Sequence, residues 1–273
     1  MIKTTGLKRD NNEQYYTKEQ VAEYCVNLTN RQFKLNTFDL IIEPSAGTGS
    51  FIKALDKQNV SKNVISYDIE PKYESTIKQD YLSTQVETEK NVLVIGNPPF
   101  GRQSSLAKKF IKHSCKFANV IAFILPKSFK KSSMINCFDS HFHKVFEVNL
   151  EENSFIFNEK EYSVPCVFQI WEKQTHPRDI LPKLKENEVY EVTKDVSNAN
   201  IAFRRVGVYA GRFIYDNLET LSKESHYFMK LTISLNDTIR KQLDTIEWTQ
   251  DNTIGPKSIS KQELISKLNQ ILN

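Results

Sequence analysis

The stretch "VIGNPPFGR", 94–102, sets Asn97, Pro98, Pro99 and Phe100 directly after a run of β-branched residues. A turn that ends a strand often needs one proline, but two prolines between an asparagine and an aromatic are rare. On average residue usage the tetrapeptide arises in a chain of this length on the order of once in a thousand. Proline nitrogens carry no hydrogen, so this backbone offers carbonyl acceptors with few competing donors in a stiff geometry. The Asn97 amide oxygen and the Pro98 carbonyl could together accept both hydrogens of an exocyclic amine and hold its lone pair out of ring conjugation. Phe100 would supply a stacking face for the planar base.

Upstream lie residues that suit a nucleoside. "DLIIEPSAGTGSFIKAL", 39–55, runs from an apolar strand through Glu43, Ser45, Ala46, Gly47 and Gly49 into a segment with helical apolar spacing. Glycines at such a crossover let the backbone turn tightly and approach a ligand. Asp68 follows Gly49 by nineteen residues, near the ~20-residue offset at which α/β nucleotide-binding proteins place a carboxylate on ribose hydroxyls. Ile52 stands where the dinucleotide pattern G-x-G-x-x-G needs its third glycine. Glu43 would repel phosphate and welcome an ammonium group, so an adenosine bearing a cationic amino-acid arm fits better than NAD or ATP. Asp80, in "QDYL", could accept from an adenine amine.

Charge is unevenly spread. Residues 91–138 contain eight Lys/Arg and no Asp or Glu, although the whole chain carries only +4. A charge run is usually a solvated face, but this one brackets the Asn-Pro-Pro-Phe motif and makes a surface for polyanions. The four cysteines, Cys25, Cys115, Cys137 and Cys166, have neither paired nor metal-like spacing and read as reduced thiols. "HFH", 141–143, lacks further ligands at metal spacing and reads as a strand end, so no metal is expected.

The elements that must position these residues follow from apolar patterning. Strands are predicted at 38–44, 63–69, 92–96, 120–126, 144–150 and 164–172, with helices at 18–30, 49–57, 105–117 and 132–142 between them. Short apolar strands alternating with amphipathic helices predict an α/β fold on a mostly parallel sheet. The alternation stops at a proline-containing linker around 174–190, which divides the chain into 1–174 and a smaller α+β region, 175–273. That region is predicted to hold strands at 200–214 and 225–233 and helices at 236–247 and 258–272. No apolar run reaches the ~20 residues of a membrane span and the N-terminal residues lack an apolar secretory segment. A cytoplasmic location is expected, or a nuclear one in a eukaryotic or viral setting, with no membrane partner.

These motifs resemble those of the S-adenosylmethionine-dependent N6-adenine methyltransferases of nucleic acids, over roughly 12–172. "EPSAGTGSF" resembles their first cofactor motif, "YDIEP" the ribose-binding motif, "QDYL" the adenine-contacting motif and "NPPF" the catalytic motif, the most specific of the four. "NNEQYYTKEQVAEYC", 11–25, resembles the N-terminal motif of adenine-specific restriction-modification methylases, with Lys18 in place of the usual proline. The resemblance implies a Rossmann-like class I methyltransferase fold and S-adenosylmethionine as cofactor. Tyr16, Thr17, Glu43, Ser45, Ala46, Gly47 and Gly49 would hold its methionine end, Asp68 its ribose, and Ile69 and Asp80 its adenine. Asn97 would serve both ligands, with Pro98, Pro99 and Phe100 holding the target base. Phe157, or alternatively Phe155, would stack on the opposite face of that base. Arg102, Lys108, Lys127, Lys130 and Lys131 would meet phosphates.

DNA is the first expectation for the polymer, because the N-terminal motif and the C-terminal region both resemble restriction-modification enzymes. RNA is second, since "NPPF" also serves RNA enzymes. A catalytically inactive nucleic-acid-binding subunit is the reading from another class, and methylation of protein glutamine a smaller one. The sequence leaves the recognition site and oligomeric state open.

Overall fold

The computed structural model describes residues 15–60, 63–86, 90–180, 182–248 and 257–272. The chain divides into two compact units, 1–180 and 181–273. In the first, the elements run β1 (Tyr16–Thr17), α1 (Glu19–Phe33), β2 (Leu40–Glu43), α2 (Ser50–Asp56), β3 (Val64–Asp68), β4 (Ile77–Lys78) and β5 (Val92–Gly96). They continue as α3 (Ser105–Ser114), β6 (Val120–Pro126), α4 (Ser132–Ile135), β7 (Phe142–Asn149), β8 (Phe155–Phe157), β9 (Lys160–Tyr162) and β10 (Cys166–Lys173).

A seven-stranded sheet has the order β4-β3-β2-β5-β6-β10-β7. Its first five strands pair in parallel, while β10 runs antiparallel to both neighbours. The continuous apolar runs of β5 and β6 follow from this placement. Every residue of both strands is buried, as expected where helices cover both faces of parallel strands. α3 packs Ala107, Phe110 and Ile111 into the core that holds Val92, Val94, Ile121 and Phe123.

The expected helix over 132–142 is only one turn. After Ile135 the chain bends so that Phe138 stacks on Trp171, with centroids 4.0 Å apart and planes 12° apart. Burial of that ring outweighs extension of a short helix. The division between units falls slightly beyond the expected 174/175, because Arg178 is held by the first unit. Its guanidinium donates to the carbonyls of Phe142 (3.0 Å), Ile135 (3.2 Å) and Phe138 (3.1 Å).

A small antiparallel sheet, β1-β8-β9, is absent from the sequence-based expectations. It pairs Tyr16 with Ile156 and Thr17 with Phe155, which brings the residues just before α1 to the edge where β2 and β5 end.

The second unit is an antiparallel sheet with order β11-β14-β12-β13. Its elements are β11 (Tyr190–Thr193), β12 (Ile201–Arg204), β13 (Phe213–Ile214), β14 (His226–Leu231), α5 (Asp237–Asp244) and α6 (Lys261–Ile271). The helices bury Leu243, Leu264 and Leu268 against Tyr190, Phe203 and Met229. Ser260 and Glu263 form a reciprocal cap at the start of α6. The strand expected over 200–214 is two strands, because Gly207 and Gly211 adopt φ of +98° and +104° and turn the chain back on itself.

Candidate active site

From β2 the chain moves outward through β3 to β4, then returns to the other side of β2 as β5. A cleft must open at the C-terminal ends of β2 and β5, where the winding reverses. Glu43 closes β2 and Asn97 follows β5, so the sheet brings the two motifs face to face. Their contact is intimate. A Cβ on Gly96 would fall on the Glu43 carboxylate, which explains the glycine before Asn97. The Ser45 hydroxyl donates to the Asn97 carbonyl at 3.0 Å.

Glu43 is 1% exposed. Its Oε1 accepts from the Ser45 amide at 3.1 Å, while Oε2 is buried without a partner. Burial pushes its carboxyl well above the usual carboxylate range; the Ser45 hydrogen bond pulls the other way, and the charge of Asp68 adds a smaller upward push. A buried acid in this state is poised to receive a cation or a hydrogen-bond donor.

The loop 45–49 is pinned to β3. Ala46 N–H donates to the Tyr67 carbonyl at 2.9 Å, and Gly47 N–H donates to Asp68 Oδ2 at 2.8 Å. Asp68 Oδ1 accepts from Glu70 N–H at 2.8 Å, and each carboxylate oxygen retains a lone pair for a ligand. Gly49 takes φ of +81° as it starts α2, a conformation that side-chain-bearing residues disfavour. Ile69, beside Asp68, leaves 63% of its surface in solvent, an unusual exposure for a large apolar residue and one that a flat ring would cover. Asp80 lies just beyond β4, exposed, with Oδ1 accepting from Leu82 N–H at 2.9 Å.

β1 lies across this loop. The Ser50 hydroxyl donates to the Thr17 carbonyl at 2.7 Å, and the Tyr16 ring sits where a Cβ on Gly47 would meet it at 3.0 Å. Of the N-terminal motif, 11–14 lie outside the described residues. Asn97 Nδ2 donates to the Tyr15 carbonyl at 3.2 Å. That bond commits the amide nitrogen and leaves Asn97 Oδ1 as a buried acceptor with no partner. Pro98 is buried, Pro99 exposed and Phe100 half-buried. The Tyr15 ring stacks on Tyr162, with centroids 5.3 Å apart, and lies 5.4 Å from Phe157. The small sheet therefore carries Phe157 to the segment that holds Asn97, whereas Phe155 is fully buried. Gly96, the Tyr15 carbonyl and Tyr162 were not anticipated. A glycine ending a β-branched run was the only sequence signal among them.

The basic residues separate into two sets. Arg102 follows β5, and Lys127, Lys130 and Lys131 follow β6; because β5 and β6 are parallel neighbours, all four stand at the edge that carries the cleft. Lys108 closes the first turn of α3, while Lys112, in its last turn, and Lys116, beyond its end, are carried away from the edge by the ~1.5 Å rise per residue. Lys130, expected to meet phosphate, already faces a carboxylate. It is 3.6 Å from Glu147, which also pairs with Lys144 at 2.6 Å. Among the described residues no group of three or more His, Cys, Asp or Glu could hold a metal ion, and no helix is long and apolar enough to cross a membrane.

The strand order, the lone antiparallel β10 and the acidic residues ending β2 and β3 define a class I, S-adenosylmethionine-dependent methyltransferase fold. Residues 35–185, more than half of the chain, match the EDM2 methyltransferase-like domain, and the chain belongs to that family. No curated protein matches the sequence. Solved structures that overlap it include a candidate RNA methyltransferase from Pyrococcus horikoshii, with 18% identity, 63% of this chain and 93% of that one covered, and a TM-score of 0.47. A second is a candidate class I S-adenosylmethionine-dependent methyltransferase from Listeria monocytogenes, with 15% identity, 67% and 66% covered, and a TM-score of 0.46. A third is the magnesium protoporphyrin IX methyltransferase of Synechocystis with its methyl donor bound, with 13% identity, 57% and 79% covered, and a TM-score of 0.39.

Proposed function

We propose that the protein methylates N6 of adenine in DNA, on a base that is single-stranded or extruded from the duplex. The observation that carries this reading is the orientation of Asn97. With Nδ2 held by the Tyr15 carbonyl, the side chain presents a bare, buried acceptor at the end of β5. A buried acceptor without a partner costs about 1–3 kcal/mol, and an exocyclic amine removes that cost.

The residues fit S-adenosylmethionine. Glu43, with its unpartnered Oε2, would take the ammonium of the methionine arm. Asp68 would take the ribose hydroxyls, Ile69 the adenine face and Asp80 the adenine amine, with Tyr16, Thr17, Ser45, Ala46, Gly47 and Gly49 forming the surrounding wall. When bound, the cofactor supplies an electrophilic methyl group. The chain's own work is orientation. Asn97 Oδ1 and the Pro98 carbonyl hold the two amine hydrogens and turn the nitrogen lone pair toward the methyl donor. Phe100 and Phe157 supply apolar faces that offset the few kcal/mol of removing a base from its stack. The methylated nitrogen sheds one proton to solvent, so the chain needs no strong base. Arg102, Lys108, Lys127 and Lys131 lie on or near the cleft edge, where they would position phosphates without specifying sequence.

The test is incubation with labelled S-adenosylmethionine and, separately, duplex DNA, single-stranded DNA, RNA and a protein extract, followed by identification of the modified product. N6-methyladenine in DNA is the expected result. Label in RNA alone would move the activity to that polymer, label on glutamine would replace the reading, and label in none with no calorimetric cofactor binding would end it.

A further inference from the structure

The second unit carries a site that the transfer chemistry does not use. β12 ends at Arg204, and the tight loop beyond it is closed by Gly211 N–H donating to the Arg204 carbonyl and by Arg204 N–H donating to the Arg212 carbonyl, both at 2.8 Å. The loop lifts Val208 and Tyr209 into solvent, 92% and 59% exposed. The Arg212 guanidinium sits 4.6 Å from the centre of the Tyr209 ring. Beside it lies an open cleft of about 450 Å³, lined by Arg204, Tyr209, Arg212, Ile214, Leu221 and His226 among others. That volume falls within the roughly 300–1,000 Å³ span of small-molecule pockets.

The charge of this cleft is one-sided. Among the described residues no carboxylate lines it, and no Asp or Glu occurs between Asp195 and Asp216. Arg204 is fixed in place: Nε donates to the Val206 carbonyl at 2.9 Å and Nη1 to the Ser225 hydroxyl at 3.1 Å. Its Nη1 also lies 3.3 Å from His226 Nε2. Its Nη2 makes no hydrogen bond, and Arg212 makes no ion pair, among the described residues. Burial holds His226 below its ordinary range, opposed by the hydrogen bond to the Ser222 carbonyl and helped by the charge of Arg204. The positive charge is therefore that of the two arginines.

We infer that this cleft is a second nucleic-acid subsite, which seats one backbone phosphate on Arg204 and Arg212 and stacks one unpaired base on Tyr209. The inference rests on the reading of the substrate as nucleic acid. An anion alone would explain the arginines but not an aromatic ring held out by a two-glycine loop. A paired base has both faces covered, so the ring calls for a single-stranded segment. The subsite would hold a nucleotide of the same polymer other than the target base.

The test is fluorescence anisotropy with the full chain and a short labelled single-stranded oligodeoxynucleotide, with methyl transfer and cofactor affinity measured in parallel. Tyr209 and Arg212 are exposed, so Tyr209→Ala and Arg212→Glu are expected to keep the fold, which thermal melting would verify. Tyr209→Ala should weaken binding about 5- to 150-fold, the range of one base–aromatic stack. Arg212→Glu should lower the slope of log affinity against log salt by about 1. Cofactor affinity should be unchanged in both. The exposed Lys230 of β14 provides a control, and Lys230→Glu should have little effect. If the two loop variants bind like wild type while wild type still methylates nucleic acid, the subsite is wrong and the proposed function stands. Equal weakening by Lys230→Glu and Arg212→Glu would mean diffuse attraction and would also overturn the subsite. If wild type neither binds nor methylates nucleic acid, the proposed function fails and the subsite with it.

Discussion

At the ends of β2 and β5 the buried side-chain atoms without partners are acceptors, Glu43 Oε2 and Asn97 Oδ1; in the second unit they are donors, Arg205 Nε and Trp248 Nε1. Buried polar groups in folded proteins are nearly always satisfied, so the sign of the exceptions is informative. The first region withholds donors from a carboxyl group and an amide, which prepares it for an amine and a cation. The second sets Arg204 and Arg212 along one cleft, with Arg205 Nε and Trp248 Nε1 outside its lining, and the two cleft arginines prepare it for an anion. Their mechanical settings differ too. Glu43 and Asn97 are fixed by adjacent parallel strands buried on both faces, whereas Tyr209 and Arg212 ride on an exposed loop. Chemistry that needs sub-ångström placement belongs on the first setting, and adaptable contact with a flexible polymer suits the second.

The largest expected effect comes from removing an acceptor of the first region. Asn97→Ala should lower methyl transfer by about 10²–10³-fold, the scale of one preorganised hydrogen bond at a reacting centre. Cofactor affinity should change far less, because the groups proposed to hold the cofactor lie on β1, β2, β3, the loop 45–49 and the turn at Asp80. Single-turnover kinetics beside calorimetric titration would separate the two. Wild-type turnover in Asn97→Ala would refute the mechanism while leaving the fold untouched.

Glu43→Gln should act in opposite directions on binding and stability. Because burial raises the native pKa of Glu43, the folded state binds more protons than the unfolded state between the ordinary glutamate value, about 4.3, and the raised one. Stability without ligand should therefore be full below the ordinary value and fall as pH climbs through the native pKa. The neutral, isosteric glutamine removes this dependence, so the variant should melt higher than wild type at neutral pH with a flatter profile of melting temperature against pH. Cofactor affinity should fall about 10- to 100-fold, as loss of a charge-assisted contact implies. In the wild type that affinity should rise with pH as the carboxylate forms. A variant that melts lower and binds normally would show that Glu43 is merely structural.

What the sequence revealed of this site was whatever is local. Glu43 and Asp68 each close a predicted strand and Asn97 directly follows one, and their spacing follows from strand and crossover lengths, so four of the five parallel strands and the carboxylate series could be read directly. The small sheet could not. Strands of two and three residues such as Tyr16–Thr17 and Phe155–Phe157 carry no usable periodicity, and their pairing joins segments far apart in the chain. The bond from Asn97 to Tyr15 was equally hidden, because a backbone carbonyl has no residue-type signature. In the second unit the turn at Gly207 and Gly211 cut a run of apolar and aromatic residues that reads as one strand.

The smallest expected effect concerns the cations at the cleft edge, where a pairing across sixteen intervening residues sets Lys130 apart from Arg102. Arg102 has no ion pair among the described residues, whereas Lys130 shares Glu147 with Lys144. A lysine already facing a carboxylate releases fewer counterions on meeting a phosphate, so the two should differ in salt dependence more than in affinity at one salt concentration. Arg102→Ala should lower the slope of log affinity against log salt by about 1. Lys130→Ala should lower it by less than half of that, because removing the lysine also frees Glu147 for Lys144. Equal slopes for the two variants would mean that the Lys130–Glu147 pair opens when the polymer binds, and the basic edge would then act as one surface.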